Sequence, residues 1–273
     1  MLSVTHDPHA AGREAQRPLQ GRVALVTGAT GGIGLSVGAA LAAQGCDLVL
    51  HGLADPQEAA PVLGELADSH QVDVSYHAAD LADPRAIAAM MARLGRLDIL
   101  VNNAAIRHFA PIEHMAPEDW DLDLAVNLSA AFHLIRLALP GMRQCGWGRI
   151  INMSSIYGLV GGAERVGYVT TKTALLGLTR AVALETAQSG ITCNAICAGT
   201  TLTPNIETRI QALMAAEGLD RPAATARFLD GKNPSGRMVE ASAIGAMAAF
   251  LCGEAGRDIT GIAWPVDGGW SAA

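Results

Sequence analysis

Short apolar runs alternate with stretches of helical period along the whole chain. Residues 22–27 open the series as a buried strand, and 47–51, 72–77, 97–101, 149–153, 191–197 and 259–263 repeat the pattern. Helical segments follow each: from the Gly-rich turn through about 44, then 56–69, from 84 onward, 117–144 as one long helix or a broken pair, a stretch through 188, and 240–252. The strands are apolar throughout instead of alternating, which is the pattern of a parallel sheet covered on both faces. The chain therefore predicts a single α/β domain over residues 21–273, a doubly wound parallel sheet of about seven strands with helices on both faces. A charged helical insertion at about 204–232 is the natural place for a substrate lid.

Composition narrows the function classes. Half of the 273 residues are apolar but only 4% are aromatic, so the core must be packed with Ala, Leu, Val and Ile. A net charge of −7 without Lys/Arg clusters argues against nucleic acid and anionic membrane as partners. Residues 23–46 carry no charge and mimic a membrane span, yet their glycines read as strand, loop and buried helix. Residues 1–20 lack an apolar signal region and read as a disordered extension. Five cysteines with no CxxC pair suggest free thiols and a cytoplasmic, reducing location. Eight histidines show no HExxH or clustered spacing, so no metal site is expected.

Candidate chemistry gathers at strand ends. Gly28-Ala-Thr-Gly-Gly-Ile-Gly34 lies between a strand and a helix, where glycines let the backbone approach a pyrophosphate; a plain tight turn would look the same. His51-Gly-Leu-Ala-Asp55, where such folds read the adenosine ribose, holds no Arg or Lys, which favours NAD over NADP; Asp55 falls late for the acidic role. Asp80 suits an adenine amine, although Asp80 or Asp83 could equally cap the helix opening at Pro84. Asn102 and Asn103 can brace strands or the cofactor. Asn127 interrupts an apolar stripe and must find partners, as a kink with a water or as a proton-relay station. Tyr168 and Lys172, four apart on a helix, share one face, so a fixed ammonium sits near the phenol and favours its ionised form. Ser155, at a strand end, can hydrogen-bond the oxygen being oxidised or reduced.

Thr27-Gly-Ala-Thr-Gly-Gly-Ile-Gly34, Asn102-Asn-Ala104, Asn127, Ser155 and Tyr168-xxx-Lys172 together resemble the classical short-chain dehydrogenase/reductase family over nearly the whole chain. The resemblance implies a Rossmann fold, commonly a homotetramer, and a nicotinamide dinucleotide as cofactor. It implies Tyr168 as acid/base, Lys172 tuning it and binding the nicotinamide ribose, Ser155 orienting the substrate oxygen, and Asn127 holding a relay water. The cofactor would lie along Gly28, Thr30, Gly31, Ile33 and Gly34, with Asp80, Leu81 and Asn103 beyond, and Thr203 at the carboxamide. Ala105 stands where the family usually has Gly, and Ala198 where it usually has Pro.

A narrower likeness points to the D-β-hydroxybutyrate dehydrogenase branch, carried by Ile150-Ile-Asn-Met-Ser-Ser155, Asn194-Ala-Ile-Cys197, Leu202-Thr-Pro204, Phe250-Leu-Cys-Gly-Glu-Ala255 and Val266-Asp-Gly-Gly-Trp270. That branch holds its small carboxylate with Gln, His, Lys and Gln. The matching positions here read as Arg107, Tyr157, Arg165 and Glu207, and all four differ. Two guanidiniums can hold a carboxylate bidentately, whereas Glu207 would repel it unless paired. The expectation is a dehydrogenase or reductase of a hydroxy acid related to β-hydroxybutyrate, using NAD. A reductase of acyl thioesters or cyclic ketones is the competing enzyme, and a non-catalytic NAD-binding sensor or scaffold the alternative of another class.

Overall fold

The computed structural model describes residues 17–273. Seven parallel strands form one sheet in the order β3-β2-β1-β4-β5-β6-β7, so the chain winds outward in both directions from β1 and β4. The strands are β1 (Val23–Val26), β2 (Asp47–Gly52), β3 (Val74–Ala78), β4 (Ile99–Asn102), β5 (Gly148–Ser155), β6 (Ile191–Ala198) and β7 (Ala263–Val266). This is the Rossmann-like sheet that the alternating pattern predicts. Its reversal point between β1 and β4 is where such sheets bind ligands.

Helices cover both faces. On one side α1 (Gly32–Ala43), α2 (Pro56–His70) and α9 (Ala241–Cys252) pack with Leu41, Leu48, Leu66, Ile244 and Leu251 in the core. A Cβ at Gly245 would lie 2.6 Å from the Ser36 carbonyl oxygen, so α9 rests on α1 through a glycine, as an aromatic-poor core requires. On the other side lie α3 (Pro84–Arg93), α4 (Pro117–Leu124), α5 (Ala130–Cys145) and α6 (Val166–Thr186). The run Pro117–Cys145 is long and apolar enough to cross a membrane by length and composition. Here its Leu134, Ile135, Ala138 and Met142 pack with Ile87 and Met90 of α3 and with the sheet. Residues 23–46 form β1, the glycine turn and α1.

Two segments differ most from expectation. The expected disordered extension at 1–20 falls on the described residues only at 17–20, and there the chain is packed. Leu19 is buried in the core with its N–H on the Gln44 carbonyl, and Arg17 donates to the His70 carbonyl at 2.7 Å. A single apolar anchor within a polar stretch gives no periodicity to read. The last strand is β7 at 263–266, not 259–263. Asn194 fixes the earlier segment as a loop, donating to the Ile259 carbonyl and accepting from the Ile262 N–H. Pro265 is tolerated because β7 is a sheet edge. The 117–144 stretch is one helical run, interrupted by a π segment at Ala125–Ser129.

The 204–232 insertion folds as a helical hairpin, α7 (Pro204–Glu217) and α8 (Arg221–Leu229). It carries its own small core of Ile206, Ile210 and Ala224 with Leu213 and Phe228 packed on it. Among the described residues the five cysteines are free, four of them buried.

Candidate active site

A cleft of about 620 Å³ runs along the C-terminal ends of the strands. One wall starts at the turn after β1. Gly28 adopts φ +61° and Gly32 φ +55°, the left-handed region that glycine tolerates best. A Cβ at Gly34 would collide with the Gly28 carbonyl and the Asn103 amide, whereas nothing lies within 4 Å of one at Gly31. The turn is thus closed behind and open toward the cleft, and the α1 amino terminus faces that opening. This cradle fits the pyrophosphate of a dinucleotide.

Neighbouring side chains hold the cradle. Asn103 donates to the carbonyls of Thr27 and Gly28 at 2.9 and 3.0 Å, and its own N–H reaches the Thr27 hydroxyl. Asn102 crosses to Asn152 of β5. His51, buried at the end of β2, accepts from the Gly28 N–H through Nδ1 at 3.3 Å and donates through Nε2 to the Ala79 carbonyl at 2.8 Å. Burial pushes its pKa below the usual histidine value, which keeps the ring neutral and this pair of bonds intact. His51 was not among the expected site residues. Its place at the strand end, beside the glycine turn, was the available signal.

The acids after β2 and β3 separate by role. Asp55 and Asp83 cap α2 and α3, accepting from the backbone N–H groups of Gln57 and Arg85. Asp80 lines the cleft with Leu81 and accepts from the Ala82 N–H. Thr30, Gly52 and the exposed Leu53 complete this end, and none of its lining residues is Arg or Lys.

At the far end β5 and α6 bring the candidate reacting groups together. Ser155 ends β5 and accepts from the Tyr157 N–H; Tyr168 and Lys172 face the same cleft one helical turn apart. All three are buried. The Lys172 ammonium donates to the Met153 carbonyl at 2.8 Å and lies 5.6 Å from the centre of the Tyr168 ring. The Arg107 guanidinium sits over that ring at 4.9 Å, a second cation beside the phenol. Burial, with Arg107 adding repulsion, lowers the Lys172 pKa to about 7. The expected fixed ammonium is therefore a titrating one, because no carboxylate compensates its burial.

Asn127 sits behind this wall in the π segment. Its Oδ1 accepts from the Ile106 N–H at 2.8 Å; its Nδ2 donates to the Ile106 carbonyl at 3.0 Å and toward the Thr171 hydroxyl at 3.4 Å. Both ends of the amide are engaged, so the side chain fixes the strand-end loop that carries Arg107. The wide i→i+5 turn, a feature often found at functional sites, relaxes the helix at that point.

Of the four substrate-facing expectations, Arg107, Tyr157 and Arg165 line the cleft and Glu207 does not. Tyr157 packs edge-on against Tyr168 and Trp270, with ring centres 6.3 and 5.5 Å apart, and Arg165 lies over Tyr157 and Phe109. Glu207 turns outward and forms a bidentate pair with Arg221 at 2.6 Å, closing α7 onto α8. Arg209, two residues on, lines the cleft instead, along with Phe228 and Lys232. Helical spacing could not choose between them, since 207 and 209 flank the buried Ile206 and Ile210 on opposite sides. Thr203 caps α7 and lies beside Gly32, and Ala105 and Ala198 both line the cleft. Among the described residues no group of three or more His, Cys, Asp or Glu is placed to hold a metal.

The family model described as enoyl-(acyl carrier protein) reductase matches residues 28–271. D-beta-hydroxybutyrate dehydrogenase from Cupriavidus necator is 46% identical over 259 residues, covering 93% of this chain and 99% of that one. D-beta-hydroxybutyrate dehydrogenase from Rhizobium meliloti is 40% identical, covering 92% and 99%. L-Sorbose reductase from Gluconobacter frateurii, solved with NADPH and L-sorbose, superposes with a TM-score of 0.89 at 29% identity over 94% and 99% of the two chains. On this likeness, spread from the glycine turn to the carboxyl terminus, the chain belongs to the short-chain dehydrogenase/reductase family.

Proposed function

We propose that the protein oxidises a hydroxy acid related to β-hydroxybutyrate with NAD, or reduces the matching oxo acid. The carrying observation is that Ser155, Tyr168 and Lys172 share one cleft with the glycine cradle and with the cationic side chain of Arg107. When bound, the dinucleotide accepts or returns a hydride at its nicotinamide ring. In the oxidative direction Ser155 hydrogen-bonds the substrate hydroxyl and Tyr168 takes its proton as the hydride leaves the carbinol carbon. Lys172 holds the nicotinamide ribose and passes the proton on. Asn127 positions the relay water behind it and steadies the Ile106–Arg107 loop. Arg107, within reach of the phenol, takes the substrate carboxylate.

NAD is favoured over NADP because the β2 end offers Leu53 and neutral His51 to the adenosine ribose, with no cation for an extra phosphate. The relative solved with NADPH leaves NADP as the alternative to test. The α7–α8 hairpin serves as the lid. A homotetramer in the cytoplasm completes the proposal. Exposed Phe132 on α5 and Leu184 on α6 are apolar surface that such an assembly would cover, and free thiols suit a reducing compartment.

The test is initial-rate turnover across short 3-hydroxy acids, 3-oxoacyl thioesters and cyclic ketones. The reading expects hydroxy acids to give the highest kcat/KM. Faster turnover of a thioester or cyclic ketone would replace it with the competing reductase. NADH binding without turnover of any class would favour a sensor.

A further inference from the structure

The chain carries a net charge of −7 and has only two lysines, Lys172 and Lys232, and both line this cleft. Arg107, Arg165 and Arg209 line it too, against Asp80 as the one carboxylate among its described lining residues. Lys172 belongs to the reacting centre, which leaves four cations. Among the described residues none of the four is in an ion pair. They divide in space. Arg107 lies over Tyr168. Arg209 and Lys232 lie over Phe228 at 5.1 and 4.2 Å, and Arg165 lies over Tyr157. Burial, then the charges of Arg209 and Arg165, depress the Lys232 pKa, so these three share one local field. Like charges held together without a counter-ion cost free energy, which an anionic ligand relieves.

We propose that the substrate is a dianion: a hydroxy acid whose carboxylate meets Arg107 beside the reacting carbon and whose second anionic group, at the far end, meets Arg165, Arg209 and Lys232. This deepens, and rests on, the hydroxy-acid reading above. One anionic group would leave the outer three cations uncompensated.

The comparison that isolates charge from size is 3-hydroxyglutarate against both enantiomers of its monomethyl ester, with 3-hydroxybutyrate alongside. The expected kcat/KM advantage of the dianion over either ester is about thirtyfold, the effect of one further charge-assisted contact. In the double variant Arg209→Gln/Lys232→Gln the ratio of dianion to ester falls toward unity. Replacing the distal carboxylate by phosphonate shows which anion fits, and a gain or a loss keeps the proposal. A binding readout stands apart from turnover: with NADH present, glutarate should bind at least about tenfold more tightly than butyrate, and the double variant should lose that difference. Esters turned over as well as the dianion would overturn the inference while leaving the hydroxy-acid reading intact. Tight glutarate binding with no hydroxy acid oxidised would sink that reading instead. A double variant with an unchanged ratio but weakened NADH binding would mean that these cations serve the cofactor, and would also overturn the inference.

Discussion

At Lys172 an ammonium is buried with one neutral partner, the Met153 carbonyl, and its pKa falls to about 7. The sign of the resulting linkage is set by which state holds the proton. Below pH 7 both folded and unfolded chains are protonated and the burial cost is fully present. Between 7 and the ordinary 10.5 the unfolded chain binds more protons, so stability rises with pH. From pH 6.5 to 8 this residue should add roughly 1 kcal/mol to the unfolding free energy of the cofactor-free protein. Denaturant titrations of the wild type and Lys172→Met check it; equal pH slopes in the two proteins would show that the ammonium is solvated. The outward turn of Glu207 is equally testable. Glu207→Gln should leave kcat/KM within about twofold, since Arg221 and solvent meet that carboxylate. Arg209→Gln should lower kcat/KM for an anionic substrate at least about tenfold. The reverse order would return Glu207 to the site. That Tyr168 and Lys172 share a face, and that Ser155 ends a strand, was legible locally, because a helix fixes i and i+4 on one face and the strand end is marked by a loss of apolarity. Their roles came from the family resemblance. The placements of His51 and Arg209 were not legible, because they depend on partners distant in sequence.

Among the elements, the sheet could be read from its apolar runs, whereas its edges could not. Leu19 and the Asn194-anchored loop at 259–262 depend on tertiary hydrogen bonds that no local pattern announces. One such tie lies at the opposite end of the sheet from the cleft. Asp98, buried before β4, accepts from Arg22 at 2.9 Å, Arg96 at 2.8 Å and the Val23 N–H at 3.0 Å, fastening β1 to β4. Asp98→Ala should cost about 2–3 kcal/mol of stability, because the Val23 N–H loses its partner while both guanidiniums can turn to water. Thermal and urea unfolding would measure this, and a loss below about 0.5 kcal/mol would show that the tie is redundant. The α7–α8 hairpin differs from the sheet in having a separate small core and an exposed Glu207–Arg221 clasp. Amide exchange over 204–229 should therefore run well ahead of β4–β6 and slow on adding NADH with a hydroxy-acid analogue. Protection that matches the sheet in the ligand-free protein would remove the lid from the account.

For the whole molecule, the arrangement divides one cleft between two tasks. Its β1–β3 side is uncharged apart from Asp80, the feature on which the NAD proposal rests. Its β5–β6 side, roofed by the hairpin, carries cations, with Arg107 over Tyr168 and Arg209 and Lys232 over Phe228. An acidic protein with a cationic cleft directs anions to the reacting centre. Family membership establishes an oxidoreductase framework; the cleft's own side chains argue for the substrate and cofactor. The most direct measurement is the initial rate of D-β-hydroxybutyrate oxidation near pH 8, with NAD and with NADP, for the wild type and Tyr168→Phe. The account predicts turnover with NAD, at least about tenfold less with NADP, and a loss of about a thousandfold in the variant with NADH affinity retained. Full activity in Tyr168→Phe, or no oxidation of any hydroxy acid by a wild type that binds NADH, would contradict it.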